Sequence, residues 1–377
     1  MKQVSQFCIG VCVSALSLGL LACSSQPPSE SPQPAETEAP ARQQPTVALR
    51  EAPLLKFPAT VDCNSPAHWD GERLYVFNSA PVPWRSDGPS VLHLANAAAT
   101  QYDNKANGGR WIEATYKDDD GTLYGWYHNE PHPVCSNKES LTAPRIGAAV
   151  SQDNGATWKD LGFVLEAPDD SLYCETANHY FAGGNGDFCV NLDSQKQYFY
   201  FFISTYHKDT SQQGVSVARL PYAERKSPAG KALKWYRDGW TEPGIGGQVS
   251  PILPVKSDWN RVDADAFWGA SIHWNTHLNR YVMLLNRAID KDWKQEGIYI
   301  SFNARLDDPS GWTAPHKILD REQIVAVPEM GPGWYPQVIG TDSARRETDK
   351  LAGRVARLFV HGKSVWEVVF SAPGEAG

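Results

Sequence analysis

The stretch Tyr198-Phe-Tyr-Phe-Phe-Ile203 is followed by Val215-Ser-Val-Ala218, and turn-forming residues separate the two runs. Runs rich in Tyr, Phe, Val and Ile that are bounded by such residues are typical of β-hairpins. Four further pairs of this kind occur along the chain: 74–78 with 91–94, 123–127 with 146–150, 281–285 with 297–300, and 357–360 with 366–370. The sequence therefore predicts five hairpins.

Long connections rich in Gly and Pro separate these hairpins, and helical periodicity is nearly absent apart from a short helix predicted near residues 342–350. In a β-sandwich, turns usually recur about every 8–12 residues, which is closer than the spacing seen in this chain. Radial repetition of small antiparallel sheets explains the spacing better. We therefore predict an all-β fold, a five-bladed β-propeller, occupying residues 51–377 as a single domain.

The N-terminal segment is typical of an exported protein. Lys2 precedes a mostly apolar run over residues 7–21, which is shorter than the about 20 residues of a membrane helix. The sequence Leu20-Leu21-Ala22-Cys23 resembles a bacterial lipobox. This resemblance implies a signal peptide over residues 1–22 and a lipid on Cys23, and Ser24 favours the outer membrane or cell surface. Residues 23–50 are rich in Pro, Ser and Glu, so we predict a flexible tether.

The composition limits the class of partner. The net charge is -8, and no basic cluster occurs, so nucleic acid is not an expected partner. The chain contains 14 Trp, 15 Tyr and 13 Phe, and exposed aromatic rings suit the C–H faces of carbohydrates. We expect a monomer that binds carbohydrate and contacts the membrane through its lipid anchor alone.

Four cysteines remain beyond Cys23, namely Cys63, Cys135, Cys174 and Cys189. In an oxidising compartment they are expected to form two disulfides, with three alternative connectivities. A bridge between strands that carry Cys63, Cys174 or Cys189 would stiffen a pocket at the propeller axis. No C-x-x-C spacing occurs, so a zinc site is not predicted.

One turn carries a motif. Ser151-Gln-Asp-Asn-Gly-Ala-Thr-Trp158 matches the pattern S-x-D-x-G-x-T-W, the Asp-box turn of sialidase-like propellers. A looser version follows the fourth hairpin, between residues 301 and 312. The resemblance implies a structural hairpin turn with no catalytic role.

Three acidic residues occupy similar positions in successive repeats. Asp62, Glu113 and Asp187 each precede a short strand, a turn and a strand rich in aromatic residues. Inner strands of a propeller line its axis, so the three carboxyl groups are expected to converge on one axial pocket. Their pKa values would then be pushed apart, which prepares one group as an acid and another as a base. The alternative is that each acid simply forms a turn or lies at the surface.

The stretch from Asp62 to Phe77 resembles the first blade of the five-bladed propeller glycoside hydrolases, especially family 43. The resemblance implies that Asp62 is the general base and that Asp187 adjusts pKa and orientation. A glutamate expected in the fourth blade is missing at Trp268-Gly269-Ala270. Asp265, Glu175 and Glu113 are the remaining candidate acids. The resemblance implies no required cofactor, although it allows a structural calcium ion on the axis.

Histidine and tryptophan residues near the same pocket are candidates for sugar binding: His68, His128, His179, His273, Trp268, Trp274 and Trp334. Each of them has an alternative role in core packing. The predicted function is a glycoside hydrolase that acts outside the cytoplasm. Two alternatives stay open, a non-catalytic carbohydrate- or protein-binding surface lipoprotein and a sialidase-like enzyme.

Overall fold

The computed structural model describes residues 44–106, 108–131, 133–136, 138 and 140–375. The predicted signal peptide, Cys23 and most of the predicted tether lie outside these residues. The first strand, β1 (Thr46–Lys56), begins inside the stretch predicted as tether. Its residues pair with the end of the chain, which local composition does not reveal. Across the described residues, no helix combines the length and apolar character that a membrane span requires.

Five sheets follow one another along the chain. The first sheet contains β2 (Ala67–Asp70), β3 (Arg73–Ser79), β4 (Pro83–Gly88) and β5 (Ala98–Ala99). The second contains β6 (Gln101–Tyr102), β7 (Gly109–Lys117), β8 (Leu123–Glu130), β9 (Arg145–Ser151) and β10 (Thr157–Leu165). The third contains β11 (Asn185–Leu192), β12 (Tyr198–Thr205), β13 (Gly214–Pro221), β14 (Leu233–Tyr236), β15 (Gly239–Pro243) and β16 (Leu253–Pro254).

The fourth sheet contains β17 (Ala266–Asn275), β18 (Arg280–Ala288), β19 (Gln295–Asn303) and β20 (His316–Asp320), after which the chain forms helix α1 (Arg321–Val325). The last strands are β21 (Gln337–Gly340), β22 (Leu351–Ala352), β23 (Val355–Val360) and β24 (Lys363–Ser371). The short β22 pairs with β17, whereas β21, β23, β24 and β1 form the fifth sheet. Among the described residues, three 3-10 helices occur in connections, at Asp169–Ser171, Thr210–Gln212 and Tyr222–Glu224.

The sheets form a closed ring. The inner strands β2, β7, β11, β17 and β21 contact one another in succession. The ring closes where Oε1 of Gln337 in β21 accepts the N–H of Ser65, just before β2, at 3.0 Å. Strand β1 completes the fifth sheet by pairing with β24, so the two ends of the domain are held together. The fold is therefore a five-bladed β-propeller, and this prediction is confirmed.

Apolar side chains pack between neighbouring blades. Trp126 of the second blade lies 4.7 Å, between ring centroids, from Phe199 of the third. Phe77 of the first blade lies 5.6 Å from Trp158 of the second. Full burial of one large apolar side chain stabilises a fold by roughly 1.5–3 kcal/mol. The middle strands of each blade are buried on both faces, which explains why their sequences are so rich in aromatic and branched residues.

Four of the five predicted hairpins are confirmed, since they coincide with β8–β9, β12–β13, β18–β19 and β23–β24. The first was half wrong, because β3 pairs with β4 and residues 91–94 form a turn. The short helix predicted near residues 342–350 is also wrong. There Asp342 accepts the N–H of Ala344, and Glu347 accepts the N–H of Thr341. These bonds close turns in place of a helix.

The turn that joins β9 to β10 is fixed by its own side chains. Asp153 Oδ1 accepts the N–H of Thr157 at 2.9 Å, and Ser151 Oγ accepts the N–H of Gly155 at 2.8 Å. Gly155 has φ +80°, and a Cβ there would lie 2.3 Å from the ring of Phe77. The turn therefore joins the first two blades and lies away from the predicted catalytic acids.

The cysteine prediction was wrong in part. Cys135 and Cys174 form a disulfide, whereas Cys63 and Cys189 are free and buried. The bridge joins two loops, the one after β8 and the one before β11. Cys63 Sγ instead contacts the carbonyl oxygen of Ile112, at 3.6 Å. No disulfide of the described residues therefore joins the inner strands.

Candidate functional site

Three predicted acids lie at one end of the propeller axis. Glu113 and Asp187 belong to the inner strands β7 and β11, and Asp62 precedes β2. One oxygen each of Glu113 and Asp187 and a ring nitrogen of His128 all lie within 4.8 Å of one another. Asp62 is close enough for the charges of Asp187 and His128 to act on its carboxyl. Asp62, Glu113, His128 and Asp187 together form the axial cluster.

β-Bulges aim two of these carboxyl groups at the axis. The register of β7 against β8 shifts at Glu113, and that of β11 against β12 shifts at Asp187. A bulged residue has no partner across the strand pair, so the chain bends and its side chain is redirected. The two acids therefore occupy similar irregularities in neighbouring blades.

The fourth blade has a bulge as well, but it carries no acid. The register of β17 against β18 shifts at Gly269 and Ala270. Gly269 has φ +58°, and a Cβ there would lie 2.6 Å from the side-chain amide of Asn286. Its backbone N–H donates to Ser204 Oγ at 2.9 Å. This position cannot supply the glutamate that the family resemblance implies.

Asp187 is buried and firmly held. The hydroxyl of Tyr206 donates to its Oδ2, and the hydroxyl of Tyr335 donates to its Oδ1 at 3.2 Å. Its φ of +40° is a left-handed conformation that few residues other than Gly adopt. Such strain is concentrated at functional sites, where the surrounding structure maintains it.

His128 lies between two glutamates. Its Nδ1 is 3.3 Å from Oε1 of Glu113, and its Nε2 is 3.3 Å from Oε1 of Glu130 at the end of β8. The backbone N–H of Asp187 donates to the same Nδ1 at 3.2 Å. Trp111, directly across the strand pair, packs edge-on against the imidazole with 5.5 Å between ring centroids. The imidazole therefore connects the buried Glu113 with the more exposed Glu130.

Burial and charge shift the pKa values of the cluster. Burial, with help from the charges of Asp187 and Glu130, raises the pKa of Asp62 to about 6. Burial also raises the pKa of Asp187 to about 7, and the pKa of Glu113 increases for the same reason. Burial alone would lower the pKa of His128, but its contacts with Glu113 and Glu130 raise it well above its usual value. Protons can therefore move within the cluster near neutral pH.

The cluster is a poor match for calcium. Calcium takes about six to eight oxygen ligands. Both oxygens of Asp187 already accept tyrosine O–H groups, and Oε2 of Glu113 accepts the N–H of Phe188 at 2.8 Å. His128 offers nitrogen in place of oxygen. These described residues do not fit the ion.

Two other predicted acids lie outside the axial cluster. Asp265 makes a two-point ion pair with Arg287, at 2.8 and 2.7 Å, which occupies both of its oxygens. Glu175 is exposed in a turn beside the disulfide. The structure therefore does not bring either residue to the cluster.

The other predicted histidines have different surroundings. His68 is buried and stacks on Tyr75, at 5.3 Å between ring centroids, and His273 is buried beside Phe370. Burial lowers the pKa of both to about 3, so they are neutral core residues. His179 is exposed, and its Nδ1 lies 2.6 Å from Asp292. Of the predicted histidines, His128 alone joins the cluster.

The predicted tryptophan platforms are mainly packing residues. Trp268 is fully buried against Trp293, and the indole N–H of Trp334 donates to the carbonyl of Trp293 at 3.0 Å. Trp274 packs against Tyr281 at the far end of β17. The aromatic group around Trp268 also contains Tyr206 and Tyr335 and thereby supports the donors to Asp187.

The sequence analysis missed Glu130, Trp111, Tyr206 and Tyr335. Glu130 could have been found, because His128 and Glu130 are two residues apart and so point to the same face of a strand. Tyr206 directly follows β12 and Tyr335 shortly precedes β21, and nothing local distinguishes them from core tyrosines.

No family model and no curated protein matches the chain. Solved structures similar to it include a thermostable family-43 glycoside hydrolase (12% identity, 83% of this chain and 89% of that one, TM-score 0.48). Others are an endo-arabinase from Bacteroides thetaiotaomicron (10%, 85% and 95%, 0.49) and the catalytic domain of a Coprinopsis cinerea GH62 α-L-arabinofuranosidase (12%, 88% and 97%, 0.46). At this level of similarity, function has to be inferred from the site itself.

Proposed function

We propose that the chain is a glycoside hydrolase that cleaves an oligosaccharide or polysaccharide outside the cytoplasm by carboxyl acid–base catalysis at the propeller axis. The observation that carries this proposal is the axial cluster, in which three blades place carboxyl groups around His128. Glycoside hydrolysis needs one carboxyl group that gives a proton and one that accepts a proton, on either side of the scissile bond.

Asp62 is the member of the cluster suited to proton exchange with substrate. It is partly exposed, whereas Glu113 and Asp187 are buried. A pKa of about 6 keeps both of its protonation states populated at mildly acidic pH. The buried charge of Asp187 helps to maintain that pKa, in keeping with the adjusting role that the family resemblance implies.

The proposed location follows from the N-terminal sequence. A lipid on Cys23 would hold the domain at the outer membrane or cell surface, with the residues after it as a tether. The domain would then act as a monomer on glycans outside the cytoplasm. Mass spectrometry of the N-terminal peptide would test this, since an unmodified Cys23 would contradict it.

A second candidate is a carbohydrate-binding surface protein without activity. It is favoured by Gly269 in the fourth blade, where the family resemblance implies a glutamate. The two functions are separated by an assay of the purified protein against arabinofuranosides, xylosides, galactosides and sialosides. Asp62→Asn and Asp187→Asn variants run in parallel.

If the protein is a hydrolase, we expect turnover of at least one substrate. On a substrate with a poor leaving group, Asp62→Asn should lower kcat/KM by about 10³-fold or more. The Asp187→Asn variant is suited to this test because Asn tolerates a positive φ better than most residues. Glycan binding without turnover, unchanged in both variants, would support the binding protein.

A further inference from the structure

We propose that Glu130 is the second catalytic carboxyl group of this site and acts as the general base, while Asp62 gives the proton to the departing sugar oxygen. This inference rests on the proposed function. It also reverses the role that the family resemblance implies for Asp62, and it replaces the glutamate that is missing from the fourth blade.

Accessibility separates the four carboxyl groups around His128 into two pairs. Glu113 and Asp187 are about 1% and 3% exposed; Oε2 of Glu113 accepts the N–H of Phe188, and both oxygens of Asp187 accept tyrosine hydroxyls. The side chain of Glu130 is 33% exposed, and Asp62 is partly exposed. Of these four groups, Asp62 and Glu130 are the two that a substrate can contact.

Glu130 and Asp62 both lie close to His128. Glu130 is the last residue of β8, two residues after His128 and on the same face of the strand. Asp62 lies beside Trp111, whose ring packs edge-on against that imidazole. The charge of Glu130 acts on both Asp62 and Asp187, so the groups are close.

The surroundings of Asp62 suit it to the proton-donating role. Glu130 is the more exposed of the two groups, and its Oε1 lies 3.3 Å from Nε2 of His128. Asp62 lies in a more buried place among other negative charges, and such surroundings favour the protonated form. Asp62 is therefore the acid of the pair, which leaves Glu130 to accept the proton of the attacking water.

Atoms and electrons balance in the proposed step. Asp62 gives its proton to the glycosidic oxygen while the bond from that oxygen to the anomeric carbon breaks, and the bonding electrons stay with the oxygen. A water molecule forms the new bond to the anomeric carbon and loses a proton to Glu130. Exchange with solvent then returns the proton from Glu130 to Asp62.

Leaving-group dependence distinguishes an acid from a base. The experiment compares Glu130→Gln, Asp62→Asn and the exposed control Glu322→Gln with the wild type. Each is assayed on a glycoside that the wild type hydrolyses and on the dinitrophenyl glycoside of the same sugar, which departs without a proton. Circular dichroism and thermal unfolding establish that each variant is folded.

We expect Glu130→Gln to lose about 10³-fold in kcat/KM on both substrates, with sodium azide restoring turnover and giving a glycosyl azide. Asp62→Asn should lose as much on the ordinary glycoside but stay within about 10-fold of the wild type on the dinitrophenyl glycoside. Glu322→Gln should match the wild type.

Wild-type levels of activity in folded Glu130→Gln would overturn the inference and leave the proposed function in place. So would a loss in Glu130→Gln confined to the ordinary glycoside, because that is the behaviour of an acid. Absence of turnover by the wild type on the whole panel would overturn the proposed function and this inference together.

Discussion

The carboxyl group of Glu113 lies 3.3 Å from Nδ1 of His128, and its other oxygen accepts the N–H of Phe188 at 2.8 Å. One buried side chain therefore joins the second blade to the third, immediately beside Asp187. Because the same carboxyl group contacts the imidazole, the packing of the blades and the protonation of His128 are coupled.

Glu113→Gln should lower the pKa of His128. The amide keeps an oxygen for the N–H of Phe188, but it removes the negative charge that favours the imidazolium. A pH titration of the isotope-labelled histidine ring followed by NMR measures the change. Glu322→Gln, on the exposed face of α1, is the matched control. An unchanged titration of His128 in Glu113→Gln would contradict this account of the contact.

Tyr206→Phe should destabilise the protein more at pH 8 than at pH 5. Burial raises the pKa of Asp187, and the Tyr206 hydroxyl, which donates to this carboxyl group, opposes that rise; with the hydroxyl in place the pKa is about 7. Removal of the hydroxyl therefore matters most when Asp187 is ionised, above about pH 7. There it should lower the free energy of unfolding by about 1–3 kcal/mol. Denaturant unfolding at both pH values measures the difference, with Tyr236→Phe as control. Equal losses at the two pH values would argue against a role in holding the carboxylate.

Asp62→Asn should stabilise the fold above pH 6 even though it lowers the proposed activity on an ordinary glycoside. The pKa of Asp62 in the folded protein is about 6, which is above its value of about 3.9 in an unfolded chain. The folded state therefore binds this proton more tightly, and stability falls as the pH rises from about 4 to 6. The uncharged amide in Asp62→Asn does not lose a proton, so the variant keeps its stability as the pH rises. The Tm of the variant should be about 2–4 °C above that of the wild type at pH 8 and equal to it at pH 4. A lower Tm at pH 8 would contradict the raised pKa of Asp62.

The sequence predicts the blades well because their middle strands are buried on both faces. Residues 198–203 are nearly all aromatic or branched, and they form most of β12. Strand β4 was missed because Pro83, Arg85 and Asp87 give it little of that character. The helix predicted near residue 342 does not form, because nearby side chains accept backbone hydrogen bonds and close turns there. Sequence periodicity does not detect this competition between turns and helix.

Part of the candidate site follows from the repeat itself. Asp62, Glu113 and Asp187 come together because each lies in or shortly before an inner strand, and the propeller brings those strands to one axis. Asp265 lies outside the cluster and is held by Arg287 on the adjacent strand β18, a pairing that the local sequence does not reveal. Tyr335 is 148 residues further along the chain than Asp187. The hydrogen bond between them depends on closure of the ring, which the local sequence does not reveal.

Reduction of the disulfide between Cys135 and Cys174 should lower both stability and activity. The two cysteines are 39 positions apart, and they join the loop that follows Glu130 to the loop that precedes β11. Such a cross-link typically contributes about 2–4 kcal/mol. Thermal unfolding and turnover are measured with and without reductant, and a Cys135→Ser/Cys174→Ser double variant serves as the control that reductant should not affect. Because the loop begins directly after Glu130, freeing it should reduce kcat/KM at temperatures well below unfolding. Full activity of the reduced protein would mean that β8 alone positions Glu130.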